Sequence, residues 1–265
     1  KAEAVVNPNQ LGCEFPSKAL AGVGVAFYLL ANLSSHRAKS GKSTAKITQY
    51  LDLVALGTYA DVASLDYNNR ILVDAGLKRI QQNLCRLGIG ALLDIAGRDP
   101  ASLKAQDLGF VIGPRINAAG RMETMDIGIE CLLADDASKA YALAQQLNDL
   151  NVERRQVEGK IKQEALVELE KLEFDQQNLP AALVMFEEHW HQGVIGIVAG
   201  RLKEQFHRPA IVFAADEDGV HIKGSARSID GIHIRDSIEL VAEQHPHLIS
   251  HFGGHAAAAG LTVKK

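Results

Sequence analysis

The residues best suited to chemistry crowd into the last third of this chain. Nine of the ten histidines lie between His189 and His255, interspersed with glycine-rich segments that also carry arginine and serine. In KGSARS (Lys223–Ser228), Ser225, Arg227 and Ser228 are all groups that hold phosphate oxygens, and they close an expected strand. In HFGGHAAAAG (His251–Gly260), Gly253 and Gly254 would let backbone N–H groups approach a ligand, with His255 beside them in a glycine-rich loop. A third loop, EEHWHQGVIG (Glu187–Gly196), falls between a strand end and a helix start. Open α/β sheets bind ligands there, and free helix N–H groups favour phosphate. This loop holds the only tryptophan, Trp190, which suits either core packing or stacking on a base. It also holds an HxH pair, His189 and His191, without a third metal ligand. His245, His247, His251 and His255 form an alternative metal cluster, although no carboxylate or cysteine interleaves them. Three such loops on one small domain point to a phosphate-ester site.

Two candidates precede these. GPRINAAGRM (Gly113–Met122) places Arg115, Asn117 and Arg121 among small residues. It reads as a loop whose arginines grip phosphate in planar, bidentate geometry, or as a surface turn with two solvated arginines. Asp61, in GTYADV, ends an apolar helix. It is either a helix-terminal aspartate or one oxygen ligand of a hard cation such as Mg2+ or Mn2+, and no other ligand cluster precedes it. GKS at Gly41–Ser43 is not a phosphate loop, because the pattern needs glycine where His36 stands and no strand leads into it. SSHRAKSGKS reads instead as a solvated basic loop.

The elements that position these residues follow from composition and periodicity. The chain has 265 residues, 47% apolar and 23% charged, enough for one large or two ordinary domains and too apolar for disorder. The longest apolar stretch, Ala19–Leu33, is broken by Gly22 and Gly24 and is too short to span a membrane. A net charge of −4 excludes nucleic-acid binding through bulk positive charge, so any such contact must be local. Cys13, Cys85 and Cys131 stand far apart, which offers neither a disulfide framework nor a zinc site and fits the cytoplasm. No secretory leader is visible.

AVVN (Ala4–Asn7) reads as a short strand. With no candidate neighbour before about residue 181, its sheet is expected to lie upstream, which would make the chain a fragment. Helices are expected over Lys18–Leu33, Thr48–Tyr59, Arg70–Gln82, Ile89–Ala96, Ile127–Leu133 and Ser138–Leu150. A long amphipathic helix then carries Leu143, Leu147, Leu150, Val157, Ile161, Leu169 and Leu172 on one side and stops near Asp175–Pro180. A β-α-β unit follows: strand Ala182–Phe186, helix Gly193–Phe206 and strand Ala210–Phe213, parallel because the crossover is a helix. Strand Val220–Ser225, helix Asp236–Glu243 and strand Leu261–Val263 complete the reading.

Five segments together resemble one family: ALGTYADVASLDYNNRILV (Ala55–Val73), LGFVIGPRINAAGRM (Leu108–Met122), WHQGVIGIVAGRLKEQFHRP (Trp190–Pro209), KGSARS and FGGHAAAAGL. In order, and over nearly the whole chain, they are similar to the RecJ family of single-strand-specific 5′→3′ exonucleases, within the DHH phosphoesterase superfamily. The resemblance implies an α/β architecture in three parts. These are a mostly helical remnant of a DHH domain over 1–136, a long linking helix over 137–177, and a small α/β DHH-associated domain with a mixed sheet over 178–265. The family's early aspartate motifs and DHH triplet would precede Lys1, and an oligonucleotide-binding barrel would follow Lys265.

By the same resemblance Asp61 is a metal ligand and catalytic residue. Arg115, Asn117 and Arg121 match a loop near the substrate, and Ser225, Arg227, Gly253, Gly254 and His255 match phosphate-gripping positions. Arg227 and His255 would hold phosphate oxygens at the reacting strand end. The implied mechanism uses two divalent ions, Mg2+ or Mn2+, to lower the pKa of a bridging water and stabilise charge on the scissile phosphate. Clamping between two domains would admit one strand and exclude a duplex. With a single carboxylate of the metal set, this chain is expected to hold neither ion tightly and to be inactive alone. The implied partners are single-stranded DNA, a single-strand-binding protein and a helicase, in DNA repair and recombination. The chain is expected to be a monomer with no membrane attachment. Rival readings are a related enzyme acting on very short RNA or a nucleotide phosphomonoester, and a non-catalytic nucleic-acid-binding or partner-docking module.

Overall fold

The computed structural model describes residues 4–171 and 180–265. Two units, Lys1–Asn151 and Val152–Lys265, each close around their own apolar clusters.

The regular structure described in the first unit is all helical. It comprises α1 (Gly22–Lys39), a 3-10 turn at Ile47–Tyr50, α2 (Leu51–Ala60), α3 (Tyr67–Gln81) and α4 (Leu87–Ile95). Short α5 (Ala105–Asp107) then runs through one wide π turn at Leu108–Ile112 into α6 (Gly113–Met122), α7 (Asp126–Leu133) and the start of α8 (Ala137–Lys171). Leu56, Ile80, Ile89, Leu93, Leu108 and Leu147 pack its centre.

The fully buried Asp52 of α2 is satisfied on both oxygens. Oδ1 accepts from Leu53 N at 2.8 Å and Oδ2 from Arg86 N at 2.9 Å. The Arg86 guanidinium stands 3.8 Å from Oδ1 and 5.0 Å from the centroid of the Tyr50 ring. A buried carboxylate is tolerated only with such partners. Asp66 caps α3, accepting from Asn69 N at 2.8 Å and Ser17 Oγ at 2.6 Å, and these bonds, the Asn69 one foremost, hold its carboxyl below the usual range.

Three expectations for this unit change. Ala4–Asn7 is not a strand: Val5 and Val6 are exposed, and among the described residues this unit offers no strand for a β-prone segment to pair with. His36, Arg37 and Lys39 are not loop residues but the last turn of α1, where cations meet the free carbonyls. GPRINAAGRM is a helix rather than a loop. Pro114 sits in its first turn, where a missing N–H costs nothing, and Ala118 and Ala119 are buried.

In the second unit five strands stand in the order β1-β2-β3-β5-β4. They are β1 (Leu183–Glu187), β2 (Ala210–Ala215), β3 (His221–Arg227), β4 (Ile249–His255) and β5 (Ala258–Lys264). The sheet is mixed. β1 and β2 pair in parallel, joined by α9 (Gln192–Phe206), and every other pair is antiparallel. Val194, Val198 and Leu202 of α9 pack with Ile161 and Ala165 of α8 against Leu183, Ala210 and Val212. On the other face α10 (Ile234–Gln244) buries Ile234 and Ile238 against Phe213, Ala226 and Leu261. The expected glycine-rich loop His251–Gly260 is a hairpin of β4 and β5, whose turn is Ala256–Ala257. The expected helix end near residue 177 and Leu172 lie outside the described residues, as does the side chain of Leu169. No described helix is long and apolar enough to cross a membrane.

α2 and α3 meet at Gly76, where a Cβ would stand 2.6 Å from that of Ala55. Alanine ordinarily favours a helix over glycine by about 1 kcal/mol. Here Gly76→Ala is expected to destabilise by about 1–3 kcal/mol through overpacking. A lowered urea midpoint checks this, and an unchanged or raised midpoint refutes the close approach.

Candidate functional site

Strand alternation sends Lys223, Ser225 and Arg227 of β3 to one face and Gly224 and Ala226 to the other, where Ala226 is buried near α10. Register carries the first face across the sheet. Arg227 pairs with Ala258, and Ala258 with His255. Ser225 pairs with Gly260, and Gly260 with Gly253. Arg227 and His255 therefore flank Ala258 in one row on one face. The row beside it carries a hydroxyl on β3 and bare backbone on β5 and β4. An open cleft of about 360 Å3 lies along this face, with Ser225 and Gln192 at its rim and Gly253 and Gly260 in its floor.

Helix α9 reaches the site through Gly196. A Cβ there would lie 2.9 Å from Arg227 Nη2 and 3.2 Å from Ser225 Oγ. Arg227 is half-buried and donates from Nη1 to Ala226 O at 2.8 Å. His255 is exposed, and its Nδ1 accepts from Ala257 N at 3.3 Å, which places the proton of the neutral ring on Nε2. The turn beside it is pinned by Ser228 N to Ala257 O and Ile234 N to Ala256 O, both 3.0 Å. Gly254 adopts φ +149°, and a Cβ there would stand 2.5 Å from Ala259 Cα, so the strand needs glycine. At Gly253 the same construction meets open space.

At the other end of the cleft Lys223 Nζ meets Asp216 Oδ1 at 2.8 Å. Gln192 Nε2 donates to Ala215 O at 2.8 Å and to Asp216 Oδ1 at 3.3 Å. The lysine contact lowers the Asp216 pKa and raises that of Lys223. Nearby, His221 bonds Asp218 at 2.6 Å and brings its carboxyl down to about 2.

The loop between β1 and α9 is anchored rather than open. Trp190 is 3% exposed, and its Nε1 donates to Glu164 Oε2 at 2.9 Å. It is a core residue, not a stacking platform. His189 Nε2 meets the same oxygen at 2.8 Å. These two bonds, the His189 one first, hold Glu164 below its ordinary 4.5. His191 caps α9 by accepting from Gly193 N at 3.1 Å. Both histidines of the HxH pair thus serve the fold.

Among the described residues no three His, Cys, Asp or Glu side chains gather in a metal-holding group. The reading of His245, His247, His251 and His255 as a cluster is thereby corrected. His245 ends α10, whereas His251 and His255 lie in one strand, roughly 13 Å apart by strand rise. Asp61 is exposed at the C-cap of α2. In α6, Arg115 donates from Nε to Asn148 Oδ1 at 3.1 Å and from Nη1 to Val111 O at 2.7 Å, so it secures helix packing. Asn117 and Arg121, one turn apart, share an exposed face that does not include it.

Gly196, Ala258 and Gly260 were not singled out in the sequence as shaping the site. The alternation of small residues at 258 and 260 against Ser225 and Arg227 is the signal that marks them.

Residues 179–265 match the DHHA1 domain. Across 99% of its length the chain is 52% identical to the single-stranded-DNA-specific exonuclease RecJ of Dickeya dadantii, of which it covers 46%. Its fold is similar to that of RecJ from Thermus thermophilus in complex with Mg2+, at a TM-score of 0.77 and 33% identity, covering 94% of this chain and 36% of that one. The structure from the same organism in complex with Mn2+ matches at a TM-score of 0.77 and 33% identity, covering 94% and 34%. The chain spans about half the length of the curated relatives it matches.

Two outcomes follow from this geometry. Gly254→Ala is expected to lower the thermal midpoint while Gly253→Ala leaves it within error; equal effects would refute the strand geometry of β4. A carboxyl whose pKa is lower in the folded chain than in the unfolded one stabilises the fold fully above the unfolded pKa and stops doing so as pH falls through the folded one. Urea unfolding followed by Trp190 emission should therefore find Glu164→Gln less stable than wild type at pH 7, with the gap narrowing as pH falls below the ordinary 4.5 of the carboxyl. A gap independent of pH would refute the ionic anchor.

Proposed function

We propose that this chain, which belongs to the RecJ family, grips the sugar-phosphate backbone of single-stranded DNA for a single-strand-specific exonuclease that hydrolyses phosphodiester bonds in the 5′→3′ direction. One observation carries the reading: Arg227 and His255 flank Ala258 on one face of the sheet, beside a row whose floor is glycine. The guanidinium presents a planar fork to phosphate oxygens. His255 Nε2–H and the Ser225 hydroxyl add neutral donors on either side. Bare backbone at Gly253 and Gly260 lets a nucleotide chain lie close, and Gly254 keeps β4 in the conformation that holds His255 in place. Contacts of this kind read phosphate rather than base, which suits an enzyme indifferent to sequence.

In the same reading, residues 1–136 are the remnant of a DHH domain, 137–177 the linking helix and 178–265 the DHH-associated domain. Asn117 and Arg121 add substrate contacts from α6, and Arg115 supports them through its bonds to Val111 and Asn148. Asp61 is assigned as one carboxylate toward Mg2+ or Mn2+. The described residues do not by themselves fit a two-ion centre, because no second and third donor gather with it. The part this chain plays in the reaction is therefore to bind and orient the strand, with little cleavage on its own.

Arg227→Ala is expected to weaken binding of an oligothymidylate by roughly ten- to a hundredfold, the range of one charge-assisted hydrogen bond. Gly253→Val, which fills the floor of the cleft, is expected to do the same with the thermal midpoint unchanged. Fluorescence anisotropy measures both, and wild-type affinity in both variants would overturn the reading.

A further inference from the structure

The polar face continues past Ser225 and Gly253. In the next row Lys223 of β3 pairs with Thr262 of β5, and Thr262 with His251 of β4. All three line the same cleft. Down the middle column run Ala258, Gly260 and Thr262, all small; side-chain donors stand on both flanks of the first and third rows and on the β3 flank alone of the row between, where Ser225 faces Gly253. His251 is exposed. Lys223 gives one of its three ammonium donors to Asp216, which holds the head at the rim. Asp216, Glu217 and Asp218 all act on this ammonium, keep it charged and offset part of its field. Beyond His251 a bulge at Ser250 breaks the register, with Ile249 pairing to Val263, so the three-strand pattern ends there.

Rows repeat every second residue, roughly 7 Å along an extended strand. One nucleotide of sugar-phosphate backbone contains as many main-chain bonds as two amino-acid residues, so an extended single strand repeats on a similar length. Resting on the backbone-gripping reading above, we infer that Lys223, Thr262 and His251 form a further phosphate site two rows from Arg227 and His255. This face of the sheet then holds three consecutive phosphates of one strand, one per row, the second and third of them along the cleft.

The test is affinity as a function of length. The 265-residue chain is titrated against 3′-labelled thymidine di-, tri- and tetranucleotides without terminal phosphate, by fluorescence anisotropy over a salt series. Wild type is expected to bind the tetranucleotide more tightly than the dinucleotide by roughly tenfold, the gain from one further charge-assisted contact. Lys223→Gln and His251→Gln are expected to lose most of that gain and to leave dinucleotide binding unchanged. Lys223→Gln should also lower the salt slope on the tetranucleotide by about 0.7, the value for one phosphate contact on a single strand. Both side chains are exposed, and circular dichroism confirms that the variants fold. Wild-type affinity for the tetranucleotide in both variants, with Arg227→Ala impaired, overturns the further site and leaves the grip standing. Equal weakening at all three lengths overturns the row assignment. Wild-type affinity in Arg227→Ala as well overturns both.

Discussion

Everything at the candidate site depends on the two-residue period of β3, β5 and β4 in register. On one face the alternation drives Phe213, Ala226 and Leu261 into the α10 core; on the other it leaves Ser225, Arg227 and His255 beside bare backbone. Because side chains alternate strictly, a one-residue slip of β5 would exchange these roles. The slip would expose Ala259 and Leu261 and bury the small residues of the cleft floor. Burial of the α10 face is thus what fixes the register of the opposite, functional face, so the site inherits its geometry from the core.

Glycine sets how closely the layers of the second unit approach. At Gly224 a Cβ would come 2.5 Å from the Phe213 ring and 2.7 Å from Leu261, so the core face of β3 has no room for a side chain. Gly196 does the same on the other face, where α9 lies against Arg227 and Ser225. Gly254 meets a conformational demand instead of a spatial one alone, with its positive φ next to the pinned turn at Ala256–Ala257. Gly253 and Gly260 answer neither demand: at 253 a Cβ meets open space, and at 260 it comes no nearer than 3.9 Å to Gly224 O. What their missing side chains leave is a floor. This separates glycines that the fold requires from glycines that leave open floor beside the strands.

The β-α-β unit was legible in the sequence because buried strands around an amphipathic helix leave a strong apolar pattern, and the parallel pairing followed from the length of the crossover. Trp190 as a core residue was legible too. Its anchor on Glu164, 26 residues away, was not, because nothing local encodes that pairing. β4 was hidden by composition: SHFGGH is poor in strand formers, and only pairing with β5 makes it a strand. α6 was hidden by Gly113, Pro114 and Gly120, which read as punctuation although two of them stand in the first turn, where helices accept them. AVVN erred in the opposite direction, since β-branched residues promise a strand only where a neighbouring ladder exists. Arg227 and His255 were legible as chemistry and as a family pattern. That they share a row followed only from a register set by both strands that pair with β5.

If the proposed grip on a polyanion holds, this acidic chain has to concentrate its positive field. Lys223 is matched by Asp216, and Arg235 by Glu239 at 2.7 Å, so much of the cationic surface of the second unit is neutralised locally. The cleft itself is lined by the Ser225 and Thr262 hydroxyls, the His251 imidazole and the Asp216-paired Lys223. Hydrogen-bond geometry therefore carries more of the recognition than long-range attraction, and screening weakens it less. Such a grip takes hold only where a backbone lies extended along the rows, with its bases turned away from the glycine floor. A duplex presents its phosphates at a different spacing and on two strands, and cannot lay one of them flat along three rows of a sheet. In the proposed reading, preference for a single strand thus follows from the period of the rows before any clamp is considered.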